Sequence, residues 1–295
     1  MIKQLAKIFS SLYILQESRE VVPKNHEWFI TDDNQIIGID KKELTKKDID
    51  ILSTFLSTYN INIPRPTEQE QRWKSRILSN DFQELETPFR FVYFTISKNQ
   101  IDPLQFREAI YNLFSHPVPI LWESEKAGVI IEEQSTFSEE AISYEQIIDI
   151  LMSDLYTNIR FYVGPYIDTF DKLKYKYDTF LKNVGIAFSY SDQSVVTYID
   201  AISFHFIEQA DKHFMNEIKT IVLKELIDDE ELLHSIKVFI SSNLNVSEAA
   251  KKLHLHRNSL QYRLDKFIEK TGIDVRRFNE AVAVYLVILS MMHKS

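Results

Sequence analysis

Cysteine is absent from the 295-residue chain, and glycine occurs only 5 times. The first absence excludes disulfide frameworks and thiolate metal sites. The second weighs against glycine loops that bring backbone amides close to phosphates. Long apolar runs are missing too. The longest, Ala281 to Leu289, spans 9 residues, whereas a bilayer crossing needs about 20. The opening residues, MIKQLAKIFSSLYILQ, are weakly basic but contain no extended apolar region and no small-residue cleavage site. The chain therefore reads as soluble and cytoplasmic, with no membrane partner. Positive charge is in deficit as well, with a net charge of −9.

What is present is ordinary globular composition, 44% hydrophobic and 26% charged. The length calls for two or three domains. Charge is distributed unevenly. From Leu232 to Ser295 there are 10 Lys/Arg against 5 Asp/Glu, or +5, so the preceding residues carry −14. Only the C-terminal piece has the sign needed to displace counterions from a nucleic-acid duplex.

That piece contains the most informative stretch, Asn245 to Phe267, NVSEAAKKLHLHRNSLQYRLDKF. Asn245 followed by Glu248 predicts a capping-box start to a helix. Val246, Ala249, Ala250 and Leu253 recur at helical spacing, and the two alanines let a second helix cross closely. After a break at His254-Leu255 a new helix opens near His256, with Leu260, Leu264, Phe267 and Ile268 facing a core. Its remaining face carries Arg257, Asn258, Gln261 and Tyr262, with Ser259, Arg263 and Lys266 at the margin. Two short helices joined by a tight turn, the second bearing Arg, Asn and Gln, predict a helix-turn-helix for double-stranded DNA. Arg bridges the two major-groove acceptors of guanine, and Asn or Gln pairs with the adenine edge. Ser259 and Lys266 suit phosphate oxygens.

The string from Leu255 to Leu264 strongly resembles the C-terminal helix-turn-helix of the PucR/CdaR family of bacterial transcription regulators. That family's string is approximately His-Arg-Asn-Thr-Leu-x-Tyr-Arg-Leu, and here Ser259 replaces Thr while keeping the hydroxyl. Asn245, Ala249, Ala250 and Leu253 match as well, and the stretch is more distantly similar to the DNA-binding end of Fis. The resemblance implies that Ser247, His256, Arg257, Ser259, Gln261 and Tyr262 face DNA. The turn departs from the Fis pattern, because His254 stands where Gly is usual.

Upstream, residues 1–65 read as a small α/β unit. Trp28-Phe29-Ile30 and Ile36 to Ile39 are strands joined by a turn at Asp32-Asp33-Asn34, and a helix opened by Thr45 and Asp48 follows. Ile63-Pro64-Arg65-Pro66 marks a boundary. From Phe89 to Val184 the pattern predicts strand, helix, two hairpin strands, helix, strand, helix. That order resembles the degenerate GGDEF-like domain of PucR/CdaR regulators, placing such a domain at residues 66–190. A cyclase of that fold needs paired glycines and acids on the central hairpin and an acid on the first strand. Here the hairpin reads Glu123-Ser124-Glu125-Lys126-Ala127-Gly128 and the first strand has no acid, so no catalytic residue is expected. Residues 191–230 read as a helical connector, with Val195, Val196, Ile199, Ile202, Phe206 and Ile207 on one face. His205, His213, His254 and His256 lack ligand spacing, and no metal or cofactor is expected. Residues 231–295 form the helix-turn-helix domain, with Asp274 capping the last helix.

The expected fold is thus α+β and multidomain, and the expected function is metabolite-responsive transcription regulation by a homodimer reading an inverted repeat. Two alternatives compete: an enzyme of cyclic-nucleotide metabolism using the middle domain, and a protein-binding adaptor. The spacing singles out no small-molecule effector.

Overall fold

A computed structural model describes residues 1–15, 23, 25–31, 33–79, 87–97, 101–114, 117–134, 143–155 and 158–292. The fold is mixed α/β with a helical C-terminal region. It divides into two compact units, Met1–Ile159 with Tyr166–Leu173, and Arg160–Pro165 with Lys174–Ser295.

The first unit opens with α1 (Ile2–Ile8) and a four-stranded antiparallel sheet of β1 (Tyr13–Leu15), β2 (His26–Ile30), β3 (Ile36–Asp40) and β4 (Ser57–Thr58) in the order β1-β3-β2-β4. Phe29, Ile37 and Ile39 pack with Phe9, Leu52 and Leu56, the last two from α2 (Lys46–Phe55) and its C-terminus. The Trp28 ring lies on Gly38 so closely that an added Cβ would sit 2.7 Å from it, so only glycine fits there. The helix opens at Thr45 and Asp48 as expected, and the two form a reciprocal capping box. Asp32 of the expected turn lies outside the described residues, but Asn34 adopts the left-handed conformation at φ 60. Phe55, at the end of α2, is 69% exposed.

Next come α3 (Glu68–Ser79), β5 (Phe89–Ile96), α4 (Pro103–Leu113), β6 (Ile120–Ser124), β7 (Ala127–Glu133) and α5 (Tyr144–Leu155). β7 pairs antiparallel with both β5 and β6. It buries Gly128 to Glu132 without interruption, so the alternation of a half-exposed strand is lost. Buried Glu132 is held bidentately by Arg90 at 3.0 and 2.7 Å and also accepts the Tyr144 hydroxyl. Glu125, on the turn of the hairpin, accepts the side-chain amides of Asn60 and Asn62 at 2.8 and 2.7 Å. These bonds hold its carboxyl below the usual range.

The second unit takes most of β8 (Ile159–Ile167), followed by α6 (Leu173–Tyr190) and β9 (Val195–Thr197), which pairs parallel to β8. The succession β5-α4-β6-β7-α5-β8-α6 is the one the sequence pattern predicts. α6 begins later than Thr169, whose hydroxyl instead accepts the Asp171 amide in a turn, and it continues past Val184. The stretch after residue 190 is not all helix. Two valines and a threonine favour extended backbone and add β9. Thr197 then caps α7 (Tyr198–Gln209) reciprocally with Asp200. Because the helix starts at Tyr198, the apolar stripe read from Val195 has the wrong phase. Ala201, Phe204 and Ile207 are buried, whereas Ile199 and Phe206 are exposed.

α8 (Lys212–Leu223) leads through a 3-10 turn (Lys224–Leu226) into α9 (Glu230–Ser241), α10 (Val246–Lys252), α11 (Arg257–Thr271) and α12 (Phe278–Ser290). The last helix is capped at Arg277 without a side-chain bond. Asp274, expected as its cap, accepts the Arg276 amide one turn earlier. Phe278, at the start of α12, is 73% exposed.

Candidate nucleic-acid interface

Four helices surround one core. Leu232, Leu233, Ile236 and Phe239 of α9 meet Ala249 and Ala250 of α10, Leu260, Leu264 and Phe267 of α11, and Val284, Val287 and Ile288 of α12. Leu223 and Leu226 belong to this core as well, so it draws on residues that precede α9. The alanine pair on α10 is buried, as close helix crossing requires.

Both turns of this region close in the same way. At the end of α9 the Leu244 amide reaches the Phe239 carbonyl and the Asn243 amide reaches Ile240, with Asn243 at φ 55. At the end of α10 the Leu255 amide reaches Ala250 and the His254 amide reaches Lys251, with His254 at φ 53. These paired bonds are Schellman motifs, whose left-handed position usually belongs to Gly and sometimes Asn. His254 therefore holds the turn in a glycine conformation. Asn245 caps α10 by accepting the Ser247 and Glu248 amides, but the return half of the capping box is replaced. Glu248 instead pairs with Lys252 at 3.0 Å.

α11 begins at Arg257, and no side chain caps its first turn. Leu260, Leu264 and Phe267 anchor it, which turns Arg257, Asn258, Ser259 and Tyr262 to the outside, Tyr262 at 71% exposure. Gln261 is half-buried, and Ser247 and His256 are exposed. Arg257 and Gln261 thus reach accessible surface. Asn258, Tyr262, Asp265 and Glu269 share the outer face by their spacing. Two acids thereby bound the polar, uncharged part of that face to its first turns. Arg276 offsets one of them, pairing with Asp265 at 2.7 Å.

Arg263 and Lys266 are placed differently. The Arg263 guanidinium donates to the Ser235 hydroxyl at 2.6 Å and to the Glu231 carboxylate. Lys266 Nζ lies 2.8 Å from Asp229 Oδ2. This bond is the main reason the Asp229 carboxyl sits below the usual range. Sequence reading did not single out Asp229 and Glu231, which lie 37 and 32 positions from their partners on α11. They line a cleft with Leu232, Asn258, Ser259, Tyr262, Arg263 and Lys266. Among the described residues, no group of three or more His, Asp or Glu is placed to hold a metal ion. No helix among them is long and apolar enough to cross a membrane.

A core-anchored pair of short helices, joined by a tight turn and presenting Arg, Asn, Ser and Tyr outward, defines a helix-turn-helix DNA-binding protein. The PucR C-terminal helix-turn-helix domain matches residues 232–289. Across 272 residues the chain is 31% identical to protein YxkF of Bacillus subtilis (strain 168), covering 88% of this chain and 90% of the relative. The proline-responsive transcriptional activator PutR of the same organism is 29% identical over 37% of this chain and 26% of its own length. The DNA-binding transcriptional activator AdeR, also from that organism, is 26% identical over 47% of this chain and 32% of its own length. The chain belongs to the PucR-type family of helix-turn-helix transcriptional regulators, and it is a regulator rather than an enzyme.

Proposed function

We propose that this regulator reads a specific DNA sequence with the first two turns of α11. The observation that carries the reading is the outward cluster of Arg257, Asn258, Ser259 and Tyr262 on a helix start that no side chain caps. Free first-turn amides and the positive end of the helix dipole suit a phosphate oxygen. Arg257 bridges guanine, and Asn258 with Gln261 addresses adenine. Ser247, His256, Ser259 and Tyr262 contact the backbone or flank the bases. The protein acts in the cytoplasm as a homodimer on an inverted repeat, because one recognition helix buries too little surface for gene-level discrimination. The upstream α/β residues form a non-catalytic, GGDEF-like scaffold and a site for a small-molecule effector.

The test is selection of duplexes from a random pool by the full-length chain at moderate salt. A shared, two-fold-symmetric sequence is the expected result. Absence of any preference among sequences refutes the reading.

A further inference from the structure

The cations on one flank of α11 are engaged in an ordered way. Arg263, Lys266 and Lys270 are spaced i, i+3, i+7 and so form a row along one side of the helix. Each is paired with an acid from the segment that precedes and begins α9. Arg263 pairs with Glu231, Lys266 with Asp229 at 2.8 Å, and Lys270 with Glu225 at 2.8 Å. The acids run 231, 229, 225 as the bases run 263, 266, 270, so the two segments form an antiparallel three-rung ladder. Lys224 adds a further tie, its Nζ 2.6 Å from the Thr271 carbonyl oxygen at the end of α11.

Resting on the DNA-reading role of α11, we propose that these three cations are positioning residues. They fix the rotation and advance of the recognition helix against the connector and do not serve as its phosphate contacts. Partly exposed ion pairs add little stability one by one. Three collinear pairs nonetheless favour one register, because a one-turn shift would re-pair at most two rungs and leave one base and one acid without a partner. The ladder also places Asp229 and Glu231 in the cleft beside Asn258, Ser259 and Tyr262. Arg263 and Lys266 line the same cleft already paired with these acids, so they offer an approaching phosphate no uncompensated cation.

The experiment uses the full-length chain, its selected duplex and a scrambled duplex, each titrated across a salt series. A cation bound to phosphate contributes nearly one unit to the slope of log affinity against log salt. Lys266→Ala and Lys270→Ala are expected to leave that slope unchanged. Glu231→Arg and Arg263→Glu should each lower the ratio of selected to scrambled affinity at least tenfold, and the double exchange should restore it to within about threefold. A tie that only stabilises the fold would lower the melting temperature without moving that ratio. A slope reduced by about one unit for either lysine variant overturns the proposal, as does a double exchange no more selective than its single parents. If the unsubstituted chain prefers no duplex, the DNA-reading role itself fails. The ladder is then judged by melting: it stands if the double exchange recovers the loss of the single variants and falls if it does not.

Discussion

Arg257 and Arg263 lie within two turns of one helix and carry the same charge, yet their surroundings differ. Arg257 is exposed beside an uncapped first turn, whereas Arg263 is half-buried against Ser235 and Glu231. Replacing Arg257 with Ala should cost about 1–3 kcal/mol of binding to the preferred duplex and relax the choice of base at one position. Competition binding with single-base variants of the duplex measures both. Glu43 offers a residue-scale test in the first unit. Its carboxylate accepts the amides and hydroxyls of Ser10 and Ser11, which lower its pKa from 4.5 to about 2. A depressed pKa contributes stability above the unfolded value that is lost as pH falls through the folded one. The Glu43 contribution is therefore complete above about pH 4.5 and disappears toward about pH 2. Carboxyl NMR titration reads the midpoint directly, and a value near 4.5 would show that the serine bonds do not form in solution. The outward residues of α11 were legible in sequence because they are consecutive and their chemistry is local. Their acidic partners were not, since Arg263 and Lys266 reach residues 32 and 37 positions away.

Elements of the helix-turn-helix were read well where the signal lies inside one turn of chain and poorly where packing decides. The Asn245 cap and the break at His254 follow from single-residue preferences. The phase of α7 does not, because the strand pairing of Val195 to Thr197 with β8 takes those residues out of the helical count. Both turns invite substitution. Replacing Asn245 with Ala removes the acceptor for two orphan amides and should destabilise the domain by about 1 kcal/mol. His254→Gly acts in the other direction. His254 is exposed and holds a left-handed conformation that is unfavourable for a side chain. Glycine should raise stability by about 0.5 kcal/mol after its own entropic cost. Urea melts of the two variants should shift to lower and higher midpoints respectively, without a change in slope.

For the molecule as a whole, the division of charge and the division of the core fall at different places. Charge changes sign near Leu232, which made residue 231 look like the natural start of the DNA-binding domain. The apolar core begins earlier, with Leu223 and Leu226 buried among the helix-turn-helix side chains. Removing a buried leucine side chain typically costs about 2–5 kcal/mol. Deleting two removes much of the roughly 5–15 kcal/mol that holds a domain together. A fragment of residues 231–295 should therefore melt far below one of residues 212–295, as followed by far-ultraviolet circular dichroism. Equal melting temperatures would show that the two leucines contribute nothing. Charge marks where a polyanion is met, and it is plain in composition. Burial depends on which distant residues come together, and only the structure supplies that.

Because α8 ends inside the same packed core as the recognition helix, it is joined to that helix as a stiff arm and not as a loose tether. Two copies gripping one operator through such arms would hold their half-sites in fixed angular phase around the duplex. Inserting about five base pairs between the half-sites turns one of them to the opposite side of the double helix and should abolish simultaneous binding. Inserting a full turn of about ten restores the phase, and any binding it recovers depends on how far the arms can spread.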